Sequence, residues 1–210
     1  MMFVFCIPAA RTSKSFARVR LGEFVESEPE EALPALALGD VDLVLGDEWH
    51  HQPRPLTVGL ERMDLLSDRV LLVLPARHAV ARRHRDAVPL AELADEAWTT
   101  GHPTMGWEEV TQRVCRQHGG FDPDIRHRTN DANISLALVS SGLAVAMVPE
   151  LALPERHPGI VLRELAGASV TRAIFAATRT TDAARPSIQA LLAAVQDAAA
   201  GAKLATMSRH

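Results

Sequence analysis

Two short polar stretches hold the residue types that could bind a small ligand. Thr99-Thr100-Gly101-His102 and Thr129-Asn130-Asp131 each stand just before a segment patterned as a helix. The free N–H groups and the positive dipole end of a helix start favour a carboxylate or another anion. Thr100, Gly101, His102, Asn130 and Asp131 are therefore candidate binding residues. A plainer reading stands beside this one: Thr100 and Asp131 serve only as caps, and His102 is a surface residue. His102 and Asp131 are also the one acid–base pair that an enzyme reading could nominate.

The remaining chemistry-bearing residues lead to less. His50-His51 has no further spaced ligands, and Cys115 with His118 has no second pair, so no metal site is expected. Gly101 to Gly106 has the glycine spacing of a phosphate loop but continues into Trp107-Glu108 instead of Lys-Ser/Thr. G-x-S-x-G, H-E-x-x-H and G-x-G-x-x-G are all missing from the sequence. No catalytic residue and no cofactor is expected. The basic run Arg77 to Arg85, RHAVARRHR, reads as a solvated face before it reads as a phosphate contact.

Particular elements must hold the two polar stretches in place. Ala97–Thr100 reads as a strand that delivers the first. A helix from about Gly106 to His118 follows, acidic in its first turn and basic towards its last, and Gly119-Gly120 stops it. Ile125–Arg128 leads into the second stretch. Asn130 or Asp131 then caps a helix carrying Ile134, Ala137 and Leu138 on one face, with Gly142 as its stop. Leu143–Val148 reads as a strand covered on both sides. Earlier strands are expected at Phe3–Ile7, Val19–Val25, Val41–Leu45 and Leu65–Pro75, and later ones at Ile160–Leu165 and Thr171–Thr178. Pro8 to Arg18 is barely long enough for a crossover helix. Ser27 with Glu30 resembles a capping box for a helix that carries Pro34 and ends at Gly39. Glu48–Pro55 reads as a loop and Leu90–Ala94 as a helical turn. Pro186 opens a last helix that Gly201 should end. Alternating strands and helices imply a mostly parallel sheet with helices on both faces.

The 210 residues are 47% hydrophobic and 23% charged, enough to bury a core. Aromatics make up 4% and tyrosine is absent, so the core must rest on Ala, Leu and Val, and base-stacking platforms are not expected. A net charge of −4 argues against broad nucleic-acid binding by these residues. Two distant cysteines, Cys6 and Cys115, form no disulfide framework and suit the cytoplasm. Met1–Ala10 lacks the basic start of a signal peptide, and no run reaches the roughly 18 apolar residues of a membrane span.

Gly39–Gly46, GDVDLVLG, is similar to a signature of the effector-binding domain of LysR-type transcriptional regulators. Three more segments follow in the family's order. Arg69–Ala81, RVLLVLPARHAVA, resembles its strand and Pro-x-x-His-x-x-Ala turn. Leu90–Trp98, LAELADEAW, resembles the segment after that. Val139–Pro149, VSSGLAVAMVP, resembles its Gly-rich approach to a buried strand, with Ala144 where the family usually has Gly.

The resemblance implies an α/β fold of two Rossmann-like lobes of the type 2 periplasmic-binding-protein class. Residues 1–75 and 171–201 would form lobe I, with 1–18 atypical. Residues 76–170 would form lobe II, and 202–210 a tail. It implies a small effector in a cleft between the lobes, for which the two helix starts favour an anion. Lobe II would supply the five residues named above; lobe I would add Ser27, Asp47 and Trp49. Pro29 stands where such regulators often carry Ser or Thr. The family's winged helix-turn-helix has no counterpart here, and lobe I is expected to be truncated at its N-terminus. DNA would then be reached only through a missing or separate helix-turn-helix domain, with no membrane contact and with homodimerisation through lobe I. The competing functions are a solute-binding protein of the same fold, an enzyme on that fold, and a regulator fragment without function of its own.

Overall fold

The apolar run expected at Leu65–Pro75 is the second part of a longer strand, β4 (Leu60–Pro75). Its first part is only partly buried, whereas Val70 to Leu74 is buried throughout. The chain divides along this strand. In the computed structural model, which describes residues 2–6, 23–27, 29–49, 57–103, 106–154 and 158–207, there are two compact units. Unit 1 comprises Met1–Glu48, Gln52–Ser67 and Ala173–His210; unit 2 comprises Trp49–His51 and Asp68–Arg172. The expected lobes differ from these units chiefly at Asp68–Pro75, which packs into the core of unit 2. Among the described residues no helix is long and apolar enough to cross a membrane.

Unit 1 is a sheet in the order β2–β1–β3–β10–β4. Its new members are β1 (Met2–Cys6), β2 (Glu23–Ser27), β3 (Leu43–Trp49) and β10 (Thr171–Arg179). Among the described residues, α1 (Pro29–Leu38) and α5 (Pro186–Met207) cover it. Successive residues of a strand face opposite sides. Val44, Phe175 and Ala177 accordingly pack with Ala32 and Leu36 of α1. Leu43 and Ala176 pack with Ile188, Leu191 and Leu192 of α5. Asp42 of the GDVDLVLG motif is buried, and its Oδ1 accepts from Arg179 at 3.1 Å and Arg185 at 3.0 Å. That motif residue therefore holds unit 1 together.

Unit 2 holds β5 (Ala87–Val88), β6 (Ala97–Thr100), β7 (Asp124–Arg128), β8 (Ala146–Pro149) and β9 (Ile160–Leu165). Its helices are α2 (Ala79–Arg83), α3 (Trp107–Val114), continued by a π-helical turn over Cys115–Gly119, and α4 (Ala132–Ser140). The second part of β4 is buried on both faces. Val70, Leu72 and Leu74 lie in a core with Trp98, Val110 and Met147, and Leu71 and Val73 lie under Leu136 and Val139 of α4. Gly142, with φ of +75°, ends α4 in the left-handed conformation that glycine adopts without strain.

Several expectations change. The sheet is mixed, not mostly parallel: β1 runs antiparallel to β2 and β3, and β4 runs antiparallel to β8 and β9. Parallel pairing is kept where a helix forms the crossover. β6 and β7, joined by α3, are parallel, and Trp98 bridges Val145 in parallel after α4. β4 enters unit 2 from unit 1, so it is not an arm of such a crossover. β3 runs on to Trp49, which puts Asp47, Glu48 and Trp49 on a strand, not in a loop. Pro34 lies inside α1, beyond its first turn. α5 passes through Gly201 to Met207, so residues 202–207 are helical instead of a tail; a mid-helix glycine costs only about 1 kcal/mol. The segments Val19–Gly22, Pro8–Arg18 and His50–Leu56, and the side chains of Cys6 and Glu30, lie outside the description.

Candidate functional site

In a parallel arrangement the loops after the carboxyl ends of the strands are the usual place for a ligand. β6 ends at Thr100 and β7 at Arg128, side by side. The five unit 2 candidates follow from these two ends. Thr129 N donates to the Thr100 carbonyl at 2.9 Å, which extends the pairing by one step. His102 N then donates to Asn130 Oδ1 at 2.9 Å and ties the two loops together. That bond fixes the orientation of the Asn130 amide and leaves its Nδ2 without a partner among the described residues.

α4 begins at the second loop. Asp131 is its cap: Oδ1 accepts from Asn133 N at 2.8 Å, and the carbonyl accepts from Ser135 N at 3.1 Å. Thr129 Oγ1 accepts from Asp131 N at 3.2 Å. The amides of Ala132 and Ile134 keep no partner among the described residues, as helix starts do. Thr100 is fully buried. Thr111 Oγ1 donates to the Trp107 carbonyl at 2.9 Å, so the 3.2 Å contact between the two hydroxyls has Thr100 as donor. Thr100 thereby positions the loop. Gly101 is buried against Trp107, whose indole N–H donates to Met147 O at 3.0 Å. His102 and Asn130 are exposed.

Trp107 and Thr111 were not legible as site residues, because each acts through a contact with the loop that spacing does not show. The same holds for Glu108. Arg128 grips both its carboxylate oxygens, at 2.5 and 3.1 Å, joining the end of β7 to the first turn of α3. Buried hydroxyls of Thr99 and Ser135 lack partners among the described residues, so β6 and α4 carry unused hydrogen-bonding groups.

The three lobe I candidates stand on β2 and β3. Ser27 ends β2, and its hydroxyl lies 3.3 Å from Glu31 Oε2. Asp47 is half-buried on β3. Trp49 is buried in the unit 2 core with Val70, Leu72 and Trp98, the anchoring role its size suits.

Reactive chemistry is sparse. Burial pushes the Cys115 thiol up to about 12, so it stays protonated and is no nucleophile. No cluster of three or more His, Cys, Asp or Glu side chains that could hold a metal occurs among the described residues. His78, from the Pro-x-x-His turn, is structural. Its Nδ1 accepts from Val80 N at 3.3 Å, so Nε2 carries the proton that goes to Glu96 at 3.0 Å.

The model of the LysR substrate binding domain family matches residues 13–200. The HTH-type transcriptional regulator XapR of Escherichia coli (strain K12) is 28% identical over 142 residues, 68% of this chain and 46% of XapR. The HTH-type transcriptional regulator ShiR of Corynebacterium glutamicum (strain R) is 29% identical over 119 residues, 56% of this chain and 38% of ShiR. The match thus spans less than half the length of either relative. Among solved structures, the Corynebacterium glutamicum OxyR C206 mutant superposes with a TM-score of 0.68 at 20% identity, over 88% of this chain and 56% of that one. The Synechocystis PCC6803 CcmR regulatory domain in complex with 2-PG gives 0.66 at 14% identity, over 82% and 80% of the two chains. The QuiR effector binding domain in complex with shikimate gives 0.62 at 14% identity, over 83% and 79%.

Proposed function

We propose a function from the premise that this chain belongs to the LysR substrate binding domain family: it senses a small polar effector for a transcriptional regulator. The loops after β6 and β7 form part of the effector site. The observation that carries this reading is the His102 N–H bond to Asn130 Oδ1, which builds one recognition surface from two loops. Asn130 Nδ2 and the amides of Ala132 and Ile134 offer donors to an effector's carboxylate. The Asp131 carboxylate and the Thr129 hydroxyl accept from effector hydroxyls. The class that uses both is a hydroxylated carboxylate. Shikimate, which the QuiR domain binds, is such a molecule and a natural first probe.

The role is binding, not turnover, because Asp131 is committed to capping α4. Effector binding shifts the populations of the domain's conformations. In the cytoplasm that shift would be passed to helix-turn-helix DNA-binding domains of the assembly, of the kind XapR and ShiR are named for. A homodimer through unit 1 accompanies this reading.

Calorimetric titration with shikimate and related hydroxy acids tests it. Binding is expected, weakened about tenfold by Asn130→Ala, a loss of about 1.4 kcal/mol. The melting temperature of that exposed-site variant should stay near the parent's. If no acid of this class binds, or if Asn130→Ala binds it equally well, the site assignment is wrong.

A further inference from the structure

Away from those loops, unit 2 carries a groove of about 530 Å³ lined by Ala76, Ala81, Arg82, Arg85 and Arg163. Its chemistry follows from how the surrounding charges are used. Arg163 of β9 donates to the carbonyls of His84 at 2.8 Å, Ala81 at 3.1 Å and Leu162 at 2.7 Å. Those bonds hold down the end of α2 but leave the guanidinium charge without a carboxylate. Arg82, in the last turn of α2, and Arg85, just beyond it, are exposed and have no partner among the described residues. Two neighbouring acids are occupied elsewhere, and the exposed Asp86, next to Arg85 in the chain, is not part of the lining. Glu92 takes Arg83 at 2.5 Å and His84 at 2.6 Å, and Glu96 takes His78. Two alanines supply the rest of the lining and leave the space open.

We propose that this groove is a second binding site, for a small multivalent anion of the diphosphate or tricarboxylate kind. Three guanidinium groups on one concave surface, with no acid in the lining, match such a ligand in charge. The planar forks of Arg82 and Arg85 bind its oxygens in pairs. The volume falls within the range of small-ligand pockets. A nucleic-acid backbone fits less well. Arg83 is neutralised by Glu92, which removes one charge from the basic run, and the chain's net charge is −4.

Calorimetric titration of the full 210-residue chain with inorganic pyrophosphate, and separately with citrate, tests the proposal. Saturable, salt-sensitive binding by at least one of these anions is expected, weakened about tenfold or more by the double substitution Arg82→Gln, Arg85→Gln. Both side chains are exposed, so the variant should melt like the parent. No saturable binding at millimolar concentrations of either anion overturns the proposal, as does binding unaffected by the double substitution. Duplex DNA that competes at concentrations below the anion's own Kd would assign the groove to a phosphate backbone and overturn it too.

Discussion

Gly101 is the tightest point of the candidate site. A β-carbon there would stand 3.1 Å from Trp107 Cβ and Cε3 and 3.3 Å from Asn130 Oδ1. Trp107 is held on Met147 O, so it yields only with strain. Gly101→Ala should cost about 1–3 kcal/mol in urea unfolding and weaken effector binding along with it. A variant with parental stability and affinity would mean that the loop gives way freely. The glycine was visible in the sequence, but its reason, a tryptophan six positions on, was not. Asp68 offers a second test. It is buried, accepts from Leu151 N at 3.1 Å and pairs with Arg172 at 2.9 Å. Burial raises its pKa, against the opposing pull of Arg172. The native state then holds the proton more firmly than the unfolded chain does. The group's contribution to stability is full below the unfolded value near 4 and is lost as pH rises through the raised native one. Asp68→Asn does not ionise, so the stability of the parent relative to this variant should fall as pH rises above about 4. Urea melts at a series of pH values measure it. A difference that grows in the parent's favour would mean that the Arg172 pair outweighs burial.

Among the elements, α4 separates what pattern can and cannot decide. Its limits were readable, because Asp131 caps it and Gly142 ends it. Its phase was not. The sequence pointed to Ile134, Ala137 and Leu138 as one apolar face, yet the buried side is Ser135, Leu136 and Val139, and Ile134 is 52% exposed. ANISLALVS is apolar on nearly every side, so periodicity does not orient it; the partners Leu71, Val73, Ala146 and Val148 do. Leu136→Ala should therefore cost about 2–5 kcal/mol. Ile134→Ala should cost no more than about 0.5 kcal/mol. Equal losses in thermal or urea unfolding would contradict this orientation. β6 matches its expected span residue for residue, since Gly101-His102-Pro103 stops it sharply. α5 overran its expected stop, because glycine at a mid-helix position weakens a helix without ending it.

For the whole chain, the fold class was legible because four short motifs fell in family order, while the boundary between units was not. Nothing in the run from Leu60 to Pro75 interrupts β4, so the passage from unit 1 to unit 2 between Ser67 and Asp68 leaves no turn signal. Charge was legible throughout, and it governs how these residues meet DNA. Glu23 to Glu48 holds nine carboxylates and no lysine or arginine, against the single basic run at Arg77–Arg85. Affinity for duplex DNA grows with the number of phosphates neutralised, and non-specific binding alone lies at about 10⁻⁴–10⁻⁶ M. An acidic segment of this length opposes even that. The 210 residues by themselves should give no sequence-specific shift of duplex DNA in a gel at physiological salt, with or without effector. Any weak retardation should vanish as salt rises and should not depend on the DNA sequence. Tight, sequence-dependent binding that survives physiological salt would mean that these residues contain a DNA-reading surface their charge distribution does not reveal.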